Sequence, residues 1–280
     1  MTSSAGADPG VRTTVARYLR TADRLLDAPV VGLYVVGSAA LGGWRPGRSD
    51  IDAVAVLGDG DGEPSMARLR MVHAATAART GLPALARGHL TFPGTSNVVY
   101  VRAGDLTRPV TEIVPVASHT GQRFRAGAGF DVNPVTWTVL AGRGIAIRGP
   151  EPATLGLDPQ PELLRAWNLA NLDTYWRRWA DRVTGRGAPA ARLRSRWQAA
   201  WGALGAPRLH CTIATGEVIT KEQAGDYALA TFADEWHPIV HEALAYCQGD
   251  PGLGAVPTAR ARVEQAAAFV CEVVRCAHDM

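Results

Sequence analysis

The stretch LYVVGSAALGGWRPGRSDIDAVAVL, Leu33 to Leu57, places two apolar runs on either side of a glycine-rich loop. Val30 to Val36 and Ile51 to Leu57 are short, rich in valine and bounded by turn residues, so each reads as a strand. Asp50 and Asp52 sit at the mouth of the second run. Successive side chains of a strand alternate between faces, so both carboxylates project to one side. There they repel each other and lose hydration, a cost that calls for a counter-charge. Side-by-side hard oxygens suit Mg2+, which keeps several waters and bridges to phosphates. Gly37, after the first strand, lets a backbone approach a ligand closely, and the amides that follow can face phosphate oxygens. Ser38 adds a hydroxyl donor. Asp-x-Asp alone fits the end of a strand as well as a metal site. Joined to Gly-Ser thirteen residues upstream, it points to nucleotide chemistry.

Before this segment, Val15, Leu19, Ala22 and Leu26 form a helical stripe. After it, residues 58–65 read as a flexible turn and MARLRMVHAATAARTG as a helix stopped by Gly81. SNVVYVRAGDL alternates and predicts a third strand. A less regular stretch follows, and PVTWTVLAGRGIAIRGP predicts a helix and a short closing strand. The proline-rich segment 149–162 reads as a linker. Beyond it only helical periodicity remains, with Thr220 and Gln223 as a capping box. The predicted fold class is α+β, a mixed sheet with flanking helices over residues 1–148, then an all-α helical bundle over 163–280. Trp167, Trp176, Trp179, Trp197 and Trp201 are expected to be packing anchors of that bundle.

Composition narrows the function. A net charge of +3 imposes no nucleic-acid footprint, and a small-molecule acceptor is expected instead. No apolar run is long enough for a membrane span, and no hydrophobic signal core opens the sequence, so a cytoplasmic monomer or dimer is expected. Cys211, Cys247, Cys271 and Cys276 lack the spacing of a zinc site and read as free thiols. Lys221 is the only lysine among 29 basic residues, which marks it as a position where arginine would not serve.

The Gly-Ser, spacer, Asp-x-Asp pattern resembles the DNA polymerase β-like nucleotidyltransferase superfamily. GSAALGGWRPGRSDIDAVAVL, RLHCTIATGEVITKEQAGDYALA and HPIVHEALAYCQG are most similar to the aminoglycoside 3''-adenylyltransferases, which modify streptomycin and spectinomycin. The resemblance implies a nucleotidyltransferase domain plus a five-helix bundle, with ATP as substrate and Mg2+ held by Asp50 and Asp52. It implies nucleotide contacts from Gly37, Ser38, Ser49, Arg208, Lys221 and Tyr246.

Two departures follow from the same alignment. The family's catalytic Glu falls on Asn97, and Thr95, Val99 and Val101 on that face carry no carboxylate either. An amide does not take a proton at neutral pH, so Asp105, Glu112 and His119 become the nearest alternatives. Where the family presents acids to a cationic drug, this chain has Arg192, Arg194 and Arg196. The expectation is AMP transfer to a small molecule other than streptomycin or spectinomycin, an anionic one such as a carboxylate. A carboxylate is already ionised and needs no base, and its adenylate would permit a ligase-like second step. The alternatives are an aminoglycoside adenylyltransferase using a different base, or a nucleotide-binding descendant without turnover.

Overall fold

The computed structural model describes residues 7–58, 64–86, 96–121, 123–250 and 254–280. Residues 1–6, most of the turn expected at 58–65, and Thr95 lie outside them. The chain divides into two compact units, residues 1–160 and 161–280.

The first unit runs α1 (Pro9–Leu25), β1 (Val30–Val36), α2 (Gly37–Ala40), β2 (Ile51–Leu57), α3 (Met66–Ala86), β3 (Ser96–Arg102), β4 (Ala117–Thr120), β5 (Arg123–Ala126), α4 (Pro134–Arg143) and β6 (Ile145–Arg148). The strands form one mixed sheet in the order β5-β4-β3-β2-β1-β6, parallel only between β2 and β3. β2 and β3 are buried on both faces, which is why their sequences are continuous apolar runs rather than alternating ones. Leu33, Val35, Ile51, Ala53, Ala55, Val98 and Tyr100 point to one face and pack with Val11, Val15, Leu19 and Ala22 of α1 and Leu69 and Val72 of α3. The other face, which carries Asp52 and Asn97, is approached by α4, whose Trp137 and Leu140 are fully buried.

Three expectations need correction here. α3 continues past Gly81 to Ala86, because one glycine costs a helix only about 1 kcal/mol and does not end it unaided. The stretch expected to be irregular contains the β4–β5 hairpin, whose four-residue strands are too short to show an alternation. In the second unit, the single helix expected across residues 192–204 is interrupted at Arg194, whose backbone leaves the helical region.

The second unit is helical. α5 (Pro161–Asn171) passes through one π-helical turn at Leu172–Trp176 into α6 (Arg177–Thr184). α7 (Ala188–Leu193), α8 (Ser195–Thr215), α9 (Lys221–Thr231), α10 (His237–Gln248) and α11 (Ala259–His278) follow. α8 lies at the centre, packed against α5, α9, α10 and α11. Gly202 and Gly205 leave notches on it that the rings of Trp179 and Trp176 fill, and a β-carbon at either glycine would overlap the ring. The α9 capping box is present as expected, Thr220 Oγ1 accepting from Gln223 N and Gln223 Oε1 accepting from Thr220 N. A buried Glu242 on α10 pairs with Arg262 of α11 at 3.4 Å. No described helix is long and apolar enough to cross a membrane.

Candidate functional site

In the first unit the site is built around Asp52. The parallel pairing of β2 with β3 sets Asp52 directly opposite Asn97. Asn97 Nδ2 donates to Asp52 Oδ1 at 2.9 Å, and Gly121 N donates to Asn97 Oδ1 at 2.9 Å. The two bonds orient the amide so that its NH2 group faces the carboxylate. Behind Asp52 lies Gly37, with φ +60, at the β1–α2 junction. A β-carbon there would collide with Asp52 Oδ2, so the glycine supplies both the backbone angle and the room. Asp50, just outside β2, is exposed. Ser49 Oγ accepts from Arg45 N at 3.1 Å and so folds the approach to β2.

The alternative acids and base all lie elsewhere. Asp105 and Glu112 engage Arg108. His119 pairs in register with Val98 and therefore faces the α1–α3 side, stacked on His73 at 3.9 Å. A carboxyl that feels the charge of Asp52 is Asp131, which the sequence did not flag. Its loop crosses the Asn97 face of the sheet, where a β-carbon on Gly129 would touch Val99 and Ser118, and Ser118 Oγ donates to Ala128 O at 2.7 Å. Asn133 then caps α4 by accepting from Thr136 N. Burial, and secondarily the charge of Asp52, push the Asp131 carboxyl up to about 6. A signal was present in the sequence: Asp131 is the only acid between Glu112 and Glu151.

Among the described residues no cluster of three or more His, Cys, Asp or Glu forms a ready-made metal cage. The donor set still fits Mg2+, which takes only one or two carboxylates and fills its shell with water and phosphate oxygens. Asp50 and Asp52 can hold it.

In the second unit, Arg208 and Lys221 meet at one corner. Arg208 Nε donates to Ile219 O at 2.9 Å, tying α8 to the turn that starts α9. Lys221 is the first residue of α9. A cation at a helix N-terminus opposes the helix dipole, so stability does not explain this lysine. Its Nζ lies 5.5 Å from the Trp201 ring centroid. Tyr246 lies under the Arg196 guanidinium, 5.8 Å from its centroid, and Arg196 Nη2 donates to Asp250 O. Arg192 and Arg194 are exposed, and Arg196 is half-buried.

The model of the family described as aminoglycoside adenylyltransferase, C-terminal domain, matches residues 186–273. Among solved structures, spectinomycin adenyltransferase AAD(9) from Enterococcus faecialis, crystallised with ATP and spectinomycin, aligns over 95% of this chain and 98% of its own, with a TM-score of 0.62 and 12% sequence identity. The chain shares the fold of that enzyme. No curated protein sequence matches it. Within this adenylyltransferase-like fold, the mixed sheet with flanking helices followed by helices is the predicted class.

Proposed function

We propose that the protein is an ATP- and Mg2+-dependent nucleotidyltransferase that moves AMP onto a small molecule. The observation that carries this reading is the setting of Asp52, a carboxylate fixed by Asn97 and backed by Gly37, where a β-carbon would collide with it. A carboxylate held in this way suits a Mg2+ ion that bridges to phosphates. The likeness of residues 186–273 to an adenylyltransferase domain supports the same reading.

Asp50 and Asp52 would hold Mg2+, which would draw charge from the triphosphate as pyrophosphate leaves. Arg208 and Lys221 supply cationic donors for phosphate oxygens, one as a planar fork and one as a compact point charge. Asn97 is a positioning residue: it orients Asp52 and accepts no proton. An acceptor that arrives as an anion meets no obstacle in this, since its attacking oxygen has no proton to remove. The expected result is pyrophosphate release from ATP–Mg2+ with an anionic acceptor, lost in Asp52→Asn. Turnover surviving in Asp52→Asn would refute the reading.

One observation favours a second reading. Spectinomycin adenyltransferase AAD(9), a structural neighbour, was crystallised with spectinomycin. A hydroxyl acceptor of that kind would require a base, and Asp131, a carboxyl that feels the charge of Asp52, is a candidate. Spectinomycin-dependent pyrophosphate release that disappears in Asp131→Asn selects this reading, whereas release with a carboxylate that survives the same substitution selects the first.

A further inference from the structure

Asp50, Asp52, Asn97 and Gly121 all belong to the first unit. Asn97 is buried near the start of β3, between a donor on one side and an acceptor on the other. Gly121, with φ +61, follows β4, and its N–H gives Asn97 Oδ1 a bond at 2.9 Å. A backbone N–H only donates, so the amide atom that faces it is the oxygen. The NH2 group is thereby turned to Asp52 Oδ1, also at 2.9 Å. A flipped amide would set oxygen against carboxylate oxygen and N–H against N–H. Both neighbours therefore hold the amide the same way round.

A side chain at this register position can serve a cation only through an oxygen. Asn97 keeps its oxygen on the Gly121 side and presents N–H dipoles, positive end outward, to Asp52. Those dipoles also engage a lone pair of Asp52 Oδ1 that a metal ion would otherwise use. Among the described residues no three of His, Cys, Asp or Glu come together, so Asp131 does not join Asp50 and Asp52 as a third ligand.

Sites that use two metal ions for phosphoryl chemistry hold them about 3.5–4 Å apart. Two dications at that distance repel about four times as strongly as two unit charges, and shared carboxylates have to offset the repulsion. A third carboxylate opposite Asp52 would help to do so. A neutral amide with its donors turned inward opposes it.

We infer that Asn97 limits the site to a single divalent cation, the one that accompanies the triphosphate, with no second cation to activate the acceptor. The inference rests on the nucleotidyltransferase reading and narrows it. Oxygen bound to a metal ion gives up its proton far more readily than oxygen in water. A hydroxyl acceptor loses that help at a one-cation site, whereas a group already ionised does not need it.

Mn2+ shares the oxygen preference of Mg2+ and is visible to electron paramagnetic resonance, so it can count the ions. The full chain is saturated with α,β-methylene-ATP, which cannot transfer AMP, and free Mn2+ is read during a titration. The wild type is expected to hold one ion per nucleotide complex, at least tenfold more tightly than the analogue alone, with that gain lost in Asp52→Asn. Asn97→Asp replaces the inward donor by a third carboxylate and is expected to hold two. Two ions in the wild type overturn the inference and leave the nucleotidyltransferase reading in place. One ion in a folded Asn97→Asp also overturns it, since the amide would then not set the number. Should melting show that Asn97→Asp does not fold, the wild-type count decides alone. An ion held no more tightly than by the analogue, in wild type and Asp52→Asn alike, removes the nucleotidyltransferase reading and the inference with it.

Discussion

Asp131 illustrates what a single carboxyl can reveal. In an unfolded chain it would ionise near 3.8, but burial and then Asp52 raise it to about 6 in the folded protein. The folded state therefore binds its proton more tightly, so stability falls as pH rises from about 4 through 6 and stays reduced above. Asp131→Asn should stabilise the metal-free protein at pH 7.5, by on the order of 2 kcal/mol, with no gain at pH 3.5. Thermal melts at the two pH values check this, and an equal effect at both would mean that the charge is not the cause. Mg2+ should narrow the gap at pH 7.5 by raising the wild-type melting point. The Asp52 side of the site was legible because Gly37, Ser38, Asp50 and Asp52 lie within one short segment, and Asn97 follows from strand register. Asp131 was not, since it enters from a loop with no motif of its own, carried over β3 and β4 by packing at Gly129.

Elements impose their own tests. Alanine is the better helix former, so Gly205→Ala in the middle of α8 would gain about 1 kcal/mol from propensity alone. The Trp176 ring occupies the space its β-carbon needs, and overpacking of that kind costs about 1–3 kcal/mol. A net loss of stability in urea, followed by far-ultraviolet circular dichroism, is the expected outcome; a net gain would mean the ring is not confined there. On the α1–α3 face of the sheet, Tyr18, Tyr100 and His73 form a buried hydrogen-bonded chain linking α1, β3 and α3, with His73 Nε2 2.8 Å from Tyr100 Oη. Burial first, and the neighbouring His119 second, hold His73 down to about 3. The unfolded chain takes that proton near 6.5, so the stability from neutral His73 is full above 6.5 and drains as pH falls towards 3. His73→Gln keeps a polar group for Tyr100 without titrating, and should flatten the acid limb of a pH–stability curve. An unchanged limb would assign acid sensitivity to other groups. The strands and the α9 cap could be read from valine runs and capping residues, whereas the π-turn could not: no local pattern marks it, and its Trp176 seats in a notch on a helix distant in sequence.

At the scale of the molecule, the change from mixed pattern to helical pattern near residue 160 was visible because periodicity is a local property of the chain. Which aromatic residues end up exposed was not, because exposure depends on partners that sequence does not order. Lys221 combines both scales, being singular in composition and placed in the first turn of α9 beside Trp201. Its consequence is practical. A lysine-specific endoprotease has one peptide bond to cut in all 280 residues, between Lys221 and Glu222, and that bond lies inside a capped helix. Cleavage requires the start of the helix to open, so the rate at which fragments 1–221 and 222–280 appear becomes a one-site clock for opening of the first turn of α9. Saturating ATP–Mg2+ is expected to slow that clock, and a rate indifferent to nucleotide would argue against Lys221 as a phosphate ligand.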